Sequence, residues 1–130
     1  MFILQSEFEF DAAHRLIGHK GKCARLHGHR WRVIVQIKSQ QLKEEGTDRD
    51  MVIDFSDLRK DLKELENIFD HKVIEEGKVF QVNDTTVIVP FRPTAERLAQ
   101  FIYKRIEEKG HQVHEVKVFE TPKNAVTYME

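Results

Sequence analysis

The chain has 130 residues, with 21 basic residues against 22 acidic ones, seven histidines and a single cysteine. That length predicts one domain over residues 1–130, able to bury a core yet small enough that oligomerisation often completes a site. A charge near zero argues against a general nucleic-acid binder, which carries a basic excess. A lone cysteine excludes an intrachain disulfide and suits a reducing compartment. The lack of a leader-like segment or an apolar run of about 18 residues points to the cytoplasm, without membrane insertion.

The first predicted strand covers residues 2–14. Alternation across a strand puts Phe2, Leu4, Ser6, Phe8, Phe10, Ala12 and His14 on one mostly apolar face, opposite Gln5, Glu7, Glu9 and Asp11. A second strand begins at His27 and sets Trp31, Val33, Val35 and Ile37 on one side, with Arg30, Arg32, Gln36 and Lys38 on the other and Ile34 as the exception. His27 and His29 share the parity of the apolar side, and only Gly28 separates them. If the two strands pair antiparallel, the end of the first lies beside the start of the second, and His14, His27 and His29 converge. Three protein ligands with one position open is the arrangement of a catalytic zinc site, whereas structural sites are closed by four ligands. His19, His111 and His114 have no parity partner and are expected to be solvated.

Further along, Asp54 is placed to cap a helix over residues 55–69, whose stripe is Phe55, Leu58, Leu62, Leu65 and Phe69. The segments 79–82 and 86–89 flank Asn83-Asp84 and predict a small inserted hairpin. A second helix is expected to start at Pro93-Thr94 and to bury Ala95, Leu98, Ala99, Ile102 and Ile106, ending before Gly110. Strands at 115–121 and 125–129, around the turn Pro122-Lys123-Asn124, complete a ββααββ order in the α+β class.

Four further positions carry chemistry. Glu120 shares the parity of Val116 and Val118, and a carboxylate ending an apolar face either reaches solvent or meets a ligand with paired N–H donors. Asp70-His71 closes the first helix. The helix dipole accounts for a cationic His71 but does nothing for Asp70, which can orient the imidazole and raise its basicity. Cys23 lies in a loop with Lys20 and Lys22, whose ammonium groups favour a reactive thiolate. Lys20, Lys22, Arg25, Arg30 and Arg32 suit a polyphosphate group, although a solvated basic face explains them nearly as well.

These residues resemble, in order, the motifs of the 6-pyruvoyl-tetrahydropterin synthase family, including its bacterial 6-carboxy-tetrahydropterin synthase branch. The motifs are Phe10-Asp11-Ala12-Ala13-His14, Cys23 with His27-Gly28-His29, Val52-Ile53-Asp54-Phe55, Asp70-His71, Pro93-Thr94-Ala95-Glu96 and Glu120-Thr121. The resemblance implies the tunnelling fold, an antiparallel four-stranded sheet with two helices on one face. It also implies a homohexamer of two trimers with active sites between subunits. It assigns Zn2+ to His14, His27 and His29, catalysis to Cys23, Asp70 and His71, and pterin binding to Glu120, with Thr94 and Thr121 lining the pocket. The implied reaction takes 7,8-dihydroneopterin triphosphate, eliminates triphosphate and, in the carboxy-forming branch, releases acetaldehyde on the way to 7-deazaguanine nucleosides such as queuosine. The chain departs from the family pattern at Val73-Ile74, where Leu-Asn is common, at Arg97 in place of Asn, and at Arg30-Trp31 in place of Asn-Tyr.

Two other classes compete. A cupin-like iron oxygenase uses a His-x-His motif but needs an all-β barrel, which the two helical stripes oppose. A catalytically silent pterin-binding relative would have no use for Cys23, Asp70 and His71 together.

Overall fold

The computed structural model describes residues 1–130. Strand β1 (Phe2–His14) and strand β2 (His27–Ser39) form a long antiparallel pair, joined by a loop that contains a 3-10 turn at Lys22–Ala24. Helix α1 (Phe55–Phe69) follows, capped as expected by Asp54, whose carboxylate accepts from the Ser56 N–H at 2.8 Å. Next come β3 (Lys72–Glu76), β4 (Gln81–Val82) and β5 (Thr86–Val89), then α2 (Ala95–Glu108), β6 (Val113–Thr121) and β7 (Asn124–Tyr128).

The apolar parity of β1, β2 and β6 meets the two helices in one core. Phe8, Phe10, Trp31, Val33, Val35, Val116 and Val118 from the sheet pack with Leu58, Leu62, Leu65 and Phe69 of α1 and Leu98, Ala99, Ile102 and Ile106 of α2. Helices of 15 and 14 residues are marginal in isolation, and this buried stripe is what stabilises them. Phe55 is an exception to the expected stripe. It is 54% exposed and lines an open apolar cleft with Phe2, Leu4 and Met51.

The sheet differs from the four-stranded antiparallel one. It has seven strands in the order β4-β5-β3-β1-β2-β6-β7 and is mixed, since β3 runs parallel to both β1 and β5. The physical cause is the connection after α1. Helix α1 ends beside Asp11 of β1, whose N–H donates to Asp70, and β3 starts there next to Ala12 and continues in the direction of β1, which makes it parallel to β1 and antiparallel to β2. The segment Lys72–Glu76 buries only Ile74 fully, too weak a pattern to read as a strand. The hairpin at 79–89 forms with β4 antiparallel to β5, and Asn83 Oδ1 accepts from the N–H groups of Thr85 and Thr86 at 2.9 and 2.8 Å. It is no isolated insertion, because β5 extends the main sheet.

No helix is long and apolar enough to cross a membrane.

Candidate active site and metal centre

The β1/β2 register sets His14 opposite His27 and Ala12 opposite His29. All three imidazoles therefore gather at one end of the helix-covered face, with ring centroids 4.6 to 5.2 Å apart. One nitrogen from each lies within 4.8 Å of the others, as the strand parity predicts. His14 is almost fully buried, at 1% exposure, and Trp31 backs both His14 and His29 edge to face at 5.0 and 5.3 Å.

Backbone carbonyls orient two of the rings. His14 Nδ1 donates to the Pro93 carbonyl at 2.8 Å, and His27 Nδ1 to the Arg25 carbonyl at 2.6 Å. A carbonyl can only accept, so each Nδ1 carries the proton and each Nε2 presents a lone pair, as a metal-binding imidazole requires. Only four buried side-chain nitrogens in the chain lack a partner. Two are His14 Nε2 and His29 Nε2, and the others are Nε and Nη2 of Arg92, next to Pro93. Buried polar atoms left unsatisfied are costly, and a cation shared between the imidazoles satisfies the first two. Burial is the main cause that lowers the pKa values of His14 and His29 below the usual imidazole range, opposed at His14 by the Pro93 hydrogen bond and at His29 by Glu120. Both are thereby held neutral, the form that binds a metal. The donor set fits zinc.

Glu120 stands beside this cluster. Its carboxylate oxygens lie 4.0 Å from His14 Nε2 and 3.8 Å from His29 Nε2, beyond hydrogen-bond length. Its side chain is 31% exposed and lines a cleft of about 300 Å³ with His29, Arg32, Phe119 and Thr121. The Thr121 hydroxyl accepts from the N–H groups of Lys123 and Asn124 and shapes the β6–β7 turn. Thr94 is the N-cap of α2, its hydroxyl accepting from the Arg97 N–H at 3.2 Å.

The Asp70–His71 pair forms a second group. His71 Nδ1 lies 2.9 Å from Asp70 Oδ2, and His71 lines a cleft of about 500 Å³ that Gly28, His29 and Asp11 also border. Partial burial works to raise the Asp70 pKa, but the Asp11 N–H and His71 outweigh it, and the net shift is downward. Asp70 is thus a stable carboxylate partner for the imidazole. Cys23 sits half-buried in the 3-10 turn and joins neither cluster.

Arg30 and Arg32 pair with Asp11 and Glu7 at 2.9 and 2.6 Å, on the face away from the helices, and both line the cleft beside Glu120. His111 is not solvated, since its Nε2 pairs with Asp61 of α1 at 2.7 Å with only 9% of the side chain exposed. The pairing of Asp11 with Arg30 and the bond from His14 to the Pro93 carbonyl have no counterpart among the expectations from the sequence. Asp11 and Arg30 lie on the parity assigned to solvent, and a backbone carbonyl leaves no sequence signal.

The chain is similar to known proteins over nearly its whole length. The chain is 37% identical to 6-carboxy-5,6,7,8-tetrahydropterin synthase of Haemophilus influenzae over the full length of both, and 40% identical to that of Synechocystis, covering 98% of this chain and 93% of the relative. Its fold matches 6-pyruvoyl tetrahydropterin synthase of Caenorhabditis elegans with a TM-score of 0.72 at 25% identity, over 99% of this chain and 95% of that one. An uncharacterized protein from Wolinella succinogenes shares the fold with a TM-score of 0.80 at 23% identity, over 99% of this chain and 98% of that one. The family model for 6-pyruvoyl tetrahydropterin synthase matches residues 3–130, and the chain belongs to that family.

Proposed function

We propose that residues 1–130 act as one tetrahydropterin-synthase domain, a zinc-dependent lyase of the cytoplasm. It takes 7,8-dihydroneopterin triphosphate, eliminates triphosphate and forms 6-carboxy-5,6,7,8-tetrahydropterin with release of acetaldehyde, on the route to 7-deazaguanine nucleosides such as queuosine. The observation that carries this reading is the trio His14, His27 and His29, with two orphaned Nε2 atoms beside the Glu120 carboxylate. The full-length relatives named 6-carboxy-5,6,7,8-tetrahydropterin synthase favour the carboxy-forming branch over the pyruvoyl-forming one.

In this reading His14, His27 and His29 would hold Zn2+, which when bound would supply a Lewis acid for the hydroxyls of the substrate side chain and make the neighbouring C–H bonds more acidic. Glu120 accepts the paired N–H donors of the pterin ring, a bidentate pattern that fixes its orientation, while Thr94 and Thr121 border the ring. His71, oriented by Asp70, accepts and returns protons, and the Cys23 thiolate carries out the other proton transfer. The separation of Cys23 from Asp70 and His71 within one chain supports a homohexamer of two trimers, in which a neighbouring subunit completes each site.

The deciding experiment incubates the zinc-loaded protein with dihydroneopterin triphosphate and identifies the products by mass spectrometry. We expect triphosphate, acetaldehyde and the 6-carboxy product. A pyruvoyl product moves the chain to the other branch, and no turnover with zinc fully loaded defeats the enzyme reading in favour of a pterin-binding protein.

A further inference from the structure

Asp11 and Arg30 have no part in the chemistry described so far. They face each other across β1 and β2, and Arg30 Nε and Nη2 donate to the two carboxylate oxygens of Asp11 at 2.9 and 3.1 Å. Three links join Asp11 to the Asp70–His71 pair. The Asp11 N–H donates to Asp70 Oδ1 at 3.0 Å, and the Asp11 carbonyl accepts from the His71 N–H at 2.7 Å. In addition, one carboxylate oxygen of Asp11, one of Asp70 and one ring nitrogen of His71 lie within 4.8 Å of one another.

Two carboxylates therefore stand near one imidazole: Asp70 Oδ2 lies 2.9 Å from Nδ1, and an Asp11 oxygen lies farther off, within 4.8 Å of a ring nitrogen. The fork of Arg30 occupies both oxygens of Asp11 and offsets its repulsion of Asp70. A guanidinium does this bidentately where an ammonium, a point charge, cannot. The His71 side chain is 78% exposed, so packing does little to fix its ring. Its backbone lies at φ 59°, a left-handed conformation uncommon outside glycine, and its N–H is tied to Asp11.

We propose that Arg30 is a positioning residue for the Asp70–His71 pair, acting through Asp11. Arg30 holds the Asp11 carboxylate aside, so that the protonated Nδ1 of His71 stays turned to the Asp70 carboxylate and Nε2 remains free as the proton acceptor at the cleft. This rests on the reading of Asp70 and His71 as a proton-transferring pair.

The test compares wild type, R30Q, R30K and the double variant R30Q/D11A as zinc-loaded full-length proteins. We expect R30Q and R30K to lower kcat by about 10- to 100-fold, the scale of a misplaced catalytic group, with KM and zinc content unchanged. The melting temperature should hardly move, because exposed ion pairs contribute little to stability. R30Q/D11A should recover most of the lost kcat, since the competing carboxylate is gone, whereas a merely structural role predicts a further loss. Nitrogen-15 NMR of the neutral His71 ring gives a readout independent of turnover. Wild type should show the Nδ1–H tautomer and R30Q a mixture. Wild-type kcat with an unchanged tautomer in R30Q, or losses that add in the double variant, overturn the proposal. If the wild-type protein turns over no pterin, the proposed function fails while the tautomer comparison still decides the role of Arg30.

Discussion

His14 Nδ1 donates to the carbonyl of Pro93 at 2.8 Å, a contact between residues 79 apart in the chain. Pro93 immediately precedes Thr94, the N-cap of α2, so the seating of that helix and the orientation of a candidate metal ligand depend on each other. Removing the imidazole should weaken the ion and loosen the start of α2 together. For His14→Ala we expect zinc affinity to fall by at least about 100-fold, more than the loss of an outer-shell partner, as measured by competition with a chromophoric chelator. Unchanged affinity would show that the trio is not the zinc site.

The metal-free protein should lose stability on acidification. Burial first of all lowers the pKa values of His14 and His29 from the ordinary 6.5, so between the lowered values and 6.5 the unfolded chain binds more protons than the folded one. Stability then rises with pH through that window, is fully present above 6.5 and is progressively lost below it. Thermal melts of the metal-free protein across this range should show the trend, and His14→Gln should flatten it. A melting temperature that rises on acidification would reverse the sign.

Cys23 and Glu120 separate chemistry from binding. Cys23→Ala should keep its zinc and its fold and lose turnover by about 100-fold or more, the scale of a lost acid–base group. Full activity would remove the thiol from the mechanism. Glu120→Gln keeps the shape but loses the charge, and should weaken binding of a pterin such as neopterin by about tenfold or more. Calorimetry that gives equal affinity would free Glu120 from the anchoring role.

Gly77 links β3 to the hairpin under tight packing. A Cβ at this position would come within 2.3 Å of Ile88 Cγ2, an atom on a β-branched side chain that cannot swing away freely. Gly77→Ala should therefore destabilise the protein by about 1–3 kcal/mol, as overpacking does, while zinc affinity remains normal. Chemical denaturation is the appropriate measurement, and a neutral result would mean that β5 shifts readily.

Periodicity alone determined much of this protein. Alternation along residues 2–14 and 27–38 set His14, His27 and His29 on one face, and the three- and four-residue spacing of apolar residues defined both helices, because each pattern repeats often enough to exceed chance. The ordered motifs also carried the family. Tertiary structure alone decided the rest. Strand β3 has a single fully buried residue, Ile74, so its parallel place beside β1 depends on where α1 ends, next to Asp11, and not on a local pattern. Asp11 meets Asp70 and His71 through its backbone N–H and carbonyl, which leave no pattern in the sequence, and its ion pair with Arg30 lies on the face whose alternation reads only as polar. Alternation tells a strand which side meets the core; which charges then meet on the other side is settled by register and by the turn after α1, and neither exists until the chain has folded.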